Sequence, residues 1–158
     1  MKRTGTGFTL IELLVTLAII AMLATAVIPV AEINMQRQHE KDLRHRLEEI
    51  RYAIDAYKKA SDEGHIEKAV NASGYPPNLE VLVSGVTDAR NPKGSKMYFL
   101  RRVPVDPMAE NPGPYPADSW GKRSYASEPD NPSEGADVYD VYSRSTLVGL
   151  NGVPYKKW

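Results

Sequence analysis

The chain has 158 residues, 20 basic and 20 acidic, so its formal charge is zero and it lacks the basic excess of a nucleic-acid-binding surface. It contains no cysteine, which excludes disulfides, thiolate metal sites and cysteine nucleophiles together. Its length is that of one domain, and setting aside the apolar N-terminus leaves roughly 130 residues, enough for one modest core.

Met1 to Gly7 form a short basic head with Lys2 and Arg3, followed by 24 residues, Phe8 to Ala31, that are apolar or small apart from Glu12. At about 1.5 Å per residue this stretch is long enough to cross about 30 Å of hydrocarbon as a helix. The cations on its N-terminal side predict a cytoplasmic head and place the rest of the chain outside the cytoplasm. A carboxylate in such a segment costs roughly 2.5–3.5 kcal/mol on insertion scales, so Glu12 calls for a compensating partner. Pro29 deletes a helical hydrogen bond and clashes with the preceding turn, which predicts a kink, with a simple helix end as the alternative. Two plainer readings of the segment exist. Ala24-Thr25-Ala26 fits the small-x-small site of a secretory signal, but the apolar stretch exceeds the usual length of about 7–15 residues and contains Glu12. An uncleaved anchor explains the length and leaves Glu12 unexplained.

Gly7-Phe8-Thr9-Leu10-Ile11-Glu12 resembles the processing site of type IV prepilins and of the pseudopilins of type II secretion systems. The resemblance implies cleavage after Gly7 by a membrane aspartyl protease, N-methylation of the new N-terminal Phe8, and use of Glu12 in assembly. Filaments of that family pack these helices in a staggered bundle in which each glutamate can meet the N-terminal amine of a neighbour. On that expectation Glu12→Ala impairs assembly more than folding, because breaking a buried ion pair costs about 3–5 kcal/mol.

Beyond the apolar stretch, Leu43, Leu47, Ile50, Ile54 and Tyr57 recur at helical spacing on one face. The stripe covers about two heptads, too few for a coiled coil, and predicts packing against the C-terminal part of the chain. The i,i+4 pairs Glu40–Arg44, Arg44–Glu48, Arg51–Asp55 and Asp55–Lys59 predict a solvated opposite face. Residues 32 to 42 are polar nearly all round, and Gly64 is the expected helix stop.

After residue 70 helical periodicity ends, and most of the 12 prolines and 11 glycines fall in this half. Leu79 to Val83 reads as helix or strand, with Asn78 favouring helix. The predicted strands are Lys96–Leu100, Lys122–Ala126 and Asp137–Ser143. A small antiparallel sheet laid on the helix stripe is the economical architecture.

Tyr75-Pro76-Pro77, Leu100-Arg101-Arg102-Val103-Pro104-Val105-Asp106-Pro107, Ser119-Trp120-Gly121 and Asp140-Val141-Tyr142-Ser143 resemble, in order, landmarks of the major pseudopilins of type II secretion. Members of that family often hold calcium in the loop after the last strand. Here Gly149 to Pro154 resembles the loop, but Asn151 stands where an aspartate is expected and no acidic residue follows Asp140. Ser143, Ser145 and Asn151 remain as possible oxygen ligands for a cation that prefers several carboxylates. The closing Pro154-Tyr155-Lys156-Lys157-Trp158 is expected to pin the end by aromatic packing.

His39 and His45 lie on opposite sides of a helix and His65 stands apart, so no shared metal site is expected. Asn71-Ala72-Ser73 matches a glycosylation sequon, a pattern short enough to arise by chance. No phosphate loop, nucleophile elbow or catalytic acid pair is present in the sequence, and no enzymatic activity is expected.

The expectation is an α+β, pilin-like chain: a leader at residues 1–7, a transmembrane and filament-core helix at 8–31, an amphipathic helix at 32–63, and a loop with a small antiparallel sheet at 64–158. The resemblance implies a homo-oligomeric filament subunit of a periplasmic pseudopilus, held in the inner membrane by a single pass with its C-terminal domain in the periplasm. Its implied partners are a prepilin peptidase, minor pseudopilins and an inner-membrane assembly platform, with no nucleic acid. The alternatives are a surface type IV pilus subunit and a membrane-anchored periplasmic enzyme or binding domain.

Overall fold

The computed structural model describes residues 7–158, apart from the side chains of residues 26–29. Two units are present, Met1–Gln38 and His39–Trp158, and the helix α1, Leu10–Asp62, contributes to both. The helix runs on past position 29, so no helix ends at Pro29. The kink expected at Pro29 lies outside the described residues.

The second unit is built on the stripe. Leu43, Leu47, Ile50, Ile54 and Tyr57 are all buried and form one core with Leu79, Leu82, Leu100, Trp120, Val138, Val141 and Tyr155. The helix ends in a Schellman motif: His65 N–H bonds the Ala60 carbonyl at 2.9 Å and Gly64 N–H bonds that of Ser61 at 3.1 Å. Gly64 takes φ 78°, a left-handed value that a side chain would strain.

A five-residue helix follows, α2, Glu80–Ser84, in agreement with the helical reading of this segment. Asn78 Oδ1 accepts the Val81 N–H at 2.9 Å and so caps it. Its carbonyl at Leu82 then accepts the N–H groups of both Phe99 and Leu100, each at 3.0 Å, which draws the next segment onto the core.

The strands are shorter than expected and form two ribbons where a single sheet was predicted. β1, Val86–Thr87, pairs antiparallel with β2, Lys96–Met97. β3, Trp120–Arg123, pairs antiparallel with β4, Asp140–Ser143, in the register Trp120↔Ser143 to Arg123↔Asp140. The prolines between Pro104 and Pro116 supply no N–H for a ladder, and the chain there runs as turns, so nothing joins the ribbons.

The landmark segments meet around Trp120, which is fully buried. Its indole N–H donates to the Pro104 carbonyl at 2.7 Å. Gly121 lies opposite Tyr142, whose ring covers it: a Cβ on Gly121 would fall 2.3 Å from that ring. Val138 N–H reaches the Pro76 carbonyl at 2.8 Å, which ties the Tyr75-Pro76-Pro77 segment to the approach to β4.

Two of the pairs expected on the solvated helix face are replaced by tertiary contacts. Glu40 is buried against the C-terminal loop, and Arg51 bonds Asp140 at 2.8 Å and the main-chain oxygens of Val141 and Trp158. A long charged side chain gains more from several fixed partners across the fold than from one mobile neighbour on its own helix. Exposed i,i+4 pairs do form further along, at Lys58–Asp62 and Lys59–Glu63.

Candidate functional site

In the first unit, Phe8 is 82% exposed and precedes the first helical residue, Leu10. A Cβ built on Gly7 meets no heavy atom within 4 Å, so packing does not demand glycine there. Thr9 starts the helix: its hydroxyl accepts the Glu12 N–H at 3.3 Å and its carbonyl accepts the Leu13 N–H at 3.2 Å. Thr9 and Glu12 therefore occupy the N-cap and N3 positions of a Thr-x-x-Glu capping pattern. This role for Thr9 was legible in its spacing to Glu12 and escaped the sequence reading.

Glu12 lies in the first turn, where the helix dipole favours a negative charge by tenths to about 1 kcal/mol. Among the described residues no cation stands within salt-bridge distance of its carboxylate. Leu10, Ile11, Leu13, Leu14, Leu17 and Ile20 are all exposed. This part of α1 is long and apolar enough to cross a membrane, and none of its apolar window is buried against the protein. Its hydroxyls are internally satisfied, since Thr16 donates to the Leu13 carbonyl at 2.9 Å and Thr25 to that of Met22 at 2.8 Å. Internal satisfaction is what a helix in hydrocarbon requires.

The second unit carries a clamp at its C-terminal loop. Glu40 Oε1 accepts the Leu150 N–H at 2.7 Å and the Tyr155 hydroxyl at 3.0 Å. Tyr155 is buried and meets the Trp158 ring edge-on at 5.1 Å, while the Arg44 guanidinium lies 4.4 Å over that indole. The aromatic pin expected at the end of the chain is thus present, with Glu40 as an unforeseen member. The signal for it lay in the stripe: counting back three from Leu43 lands on Glu40.

The residues proposed as calcium ligands are otherwise engaged and do not suit the ion. Ser143 Oγ donates to Asp106 Oδ2 at 2.7 Å and accepts the Ser145 N–H at 3.2 Å. Ser145 Oγ accepts the Leu147 N–H at 3.3 Å, and Asn151 Oδ1 accepts the Val153 N–H at 3.0 Å within its own turn. Asp106 is the one carboxylate that meets this set, and it also accepts the Met108 N–H at 2.8 Å. Calcium needs six to eight oxygens with several carboxylates among them, which this donor set does not offer. Among the described residues no three His, Cys, Asp or Glu side chains converge as a metal site.

Asp106 instead acts as a knot. Its carboxylate holds Ser143 of β4, and its N–H donates to Ser119 Oγ at 3.0 Å just before β3. Asp137 makes a similar knot nearer the surface, accepting from Ser73, Ser124 and the Tyr125 N–H. Burial pushes the Asp137 carboxyl up, but these hydrogen bonds together hold it below its ordinary value.

His39 and His45 are exposed, and His65 Nδ1 lies 2.9 Å from the Asp88 carboxylate. Its hydrogen bond holds the Asp88 carboxyl below its usual range. A cleft of about 520 Å³ lined by Tyr57, Ser61, Tyr75, Tyr125 and Asp137 contains no histidine or lysine paired to its serine. Asn71 of the sequon is exposed at a left-handed φ of 69°.

The prokaryotic N-terminal methylation motif matches residues 3–28, which include Gly7, Phe8 and Glu12. The type II secretion system core protein G of Pseudomonas aeruginosa is 31% identical over 118 residues, which cover 72% of this chain and 75% of that protein. No solved structure matches the chain.

Proposed function

Because the chain belongs to the family of the type II secretion system core protein G, pseudopilins on the type IV pilin plan, we propose that it is the major structural subunit of a type II secretion pseudopilus. The observation that carries this reading is an apolar helix, exposed along its length, that opens on Thr9 and Glu12 directly after Gly7-Phe8. A prepilin peptidase removes residues 1–7 and Phe8 receives the methyl group. The open space around Gly7 supports a requirement imposed by a peptidase and not by the fold.

Before assembly the helix is a single-pass anchor in the inner membrane, with the folded unit in the periplasm. In the filament the same helix lies among copies of itself, and Glu12 meets the amine of a neighbouring Phe8. An ion pair there satisfies two charges that neither lipid nor an apolar bundle would accept separately. Minor pseudopilins and an inner-membrane assembly platform start and drive the process. The subunit's work is mechanical, and the reading assigns it no catalytic residue, metal or cofactor.

Intact-mass and N-terminal analysis of the chain from cells with and without prepilin peptidase tests the reading. The expected mature form begins at Phe8 and is one methyl group heavier than the bare peptide. In the same cells Glu12→Ala is processed normally but recovered in filaments at a small fraction of the wild-type level. A mature chain beginning at Val27, an unprocessed Met1, or undiminished filaments from Glu12→Ala would overturn it.

A further inference from the structure

The apolar side chains exposed on the folded unit gather in one loop. Leu147, Val148, Leu150 and Val153 are 38–56% exposed within seven residues, whereas Tyr52, Val70, Tyr98, Tyr115 and Tyr125 are scattered along the chain. The loop is ordered by its own bonds. Gly149 N–H donates to the Val153 carbonyl and Gly152 N–H to that of Gly149, each at 2.9 Å. Val148 bridges Pro154, Gly152 turns at φ 78°, and the Trp158 indole N–H donates to the Val153 carbonyl at 3.2 Å. A preordered loop that holds four apolar side chains toward solvent marks a binding surface.

Its surroundings are cationic. Arg144, Lys156 and Lys157 are exposed on either side of it, and no acidic residue follows Asp140. An adjoining cleft of about 470 Å³ sets Arg51, Arg123, Lys156 and Lys157 against two carboxylates, Asp130 and Asp140. The loop is also tethered close to the apolar segment. Leu150 is bonded to Glu40, nine residues beyond Ala31, and nine residues reach at most about 30 Å when fully extended.

We propose that loop 147–153 with its basic flank is a second membrane contact, seated on an anionic lipid surface while the subunit is stored in the bilayer. Leu147, Val148, Leu150 and Val153 enter the boundary between headgroups and acyl chains, and Arg144, Lys156 and Lys157 meet lipid phosphates. The unmatched positive charge favours an anionic surface over a second copy of this electrically neutral chain. The proposal rests on the reading of residues 8–31 as a membrane anchor.

The absence of native cysteine allows the full chain to be labelled at single sites with an environment-sensitive fluorophore. Leu150→Cys and Val148→Cys report on the loop, Val70→Cys is an exposed control, and Ile20→Cys reports on insertion. The labelled chains are reconstituted into phosphatidylcholine vesicles with or without phosphatidylglycerol. Spin-labelled lipids then quench at headgroup depth or deep in the chains. The expected result is blue-shifted, headgroup-quenched emission at 148 and 150, stronger with phosphatidylglycerol, beside water-like emission at 70 and deep quenching at 20. Lys156→Gln and Lys157→Gln each lower the ratio of bound to released loop about fivefold in the anionic vesicles. Failure of deep quenching at 20 would refute the anchor itself. Deep quenching at 20 with unquenched labels at 148 and 150 would overturn the proposal and leave the anchor standing. A blue shift that grows with the protein-to-lipid ratio without lipid quenching would overturn it in favour of a second copy.

Discussion

Glu40 is the sharpest place to test the physical reasoning, because its position predicts a solvated helix face and the fold buries it. Its carboxylate serves two donors, the Leu150 N–H and the Tyr155 hydroxyl, at 2.7 and 3.0 Å. Hydrogen bonds to a charged acceptor are worth about 1.5–3 kcal/mol each, so Glu40→Ala is expected to cost about 3–5 kcal/mol. For a unit of this size that lowers the thermal midpoint by roughly 10–20 °C. Glu40→Gln keeps an acceptor of the same shape without the charge and is expected to lose about half as much. Tyr155→Phe removes one donor and costs about 1–2 kcal/mol. In a double-mutant cycle Glu40→Gln and Tyr155→Phe should couple by about 1 kcal/mol, because the second change removes a bond the first has already weakened. The assay is urea unfolding of the full chain in detergent, followed by the near-ultraviolet signal of Trp120 and Trp158. A loss below about 0.5 kcal/mol for Glu40→Ala, the cost of an exposed helix pair, would refute the clamp, and additive double mutants would refute the bond to Tyr155.

Two further outcomes follow from the knots and the ribbon. The folded-state Asp137 carboxyl is held below its ordinary value, so its stabilisation is present above about pH 4 and is lost as pH falls through the folded value. Asp137→Asn should be destabilised by about 1–2 kcal/mol at neutral pH, and melting curves from pH 7 to 2 should show the gap to wild type closing at the acid end; parallel curves would count against the knot. Gly121→Ala drives a methyl group into the Tyr142 ring and is expected to cost about 1–3 kcal/mol, most of it recovered in a Tyr142→Ala background; equal losses in both backgrounds would show that the contact does not matter.

The helix stripe was legible because burial repeats at a fixed period, and Gly64 because a left-handed stop needs glycine. The same counting would have found Glu40, which sits in phase with Leu43 and Leu47, had a charged residue been allowed a core position. Asp106 and Asp137 gave no such signal. Their partners lie 13 and 37 residues from Asp106 and 13 and 64 from Asp137, and no local period encodes hydrogen bonds of that kind. Strand lengths failed for a related reason. Alternation from Asp137 to Ser143 promised seven residues, but pairing extends only where β3 can answer it, over Asp140–Ser143. At the N-terminus the residues that matter were legible one by one, since a charge in an apolar run needs no fold to stand out.

The bonds from Glu40 to Leu150 and Tyr155 join positions 110 and 115 residues apart, and so span nearly the whole folded unit. Such closure makes the contact order high, and the unit cannot complete its fold from a growing chain until residue 155 has emerged. The membrane segment is made first and the clamp last. Export and folding are therefore ordered by the chain itself: the helix can enter the bilayer early, while the unit beyond it stays open, its stripe uncovered, until its final residues have crossed.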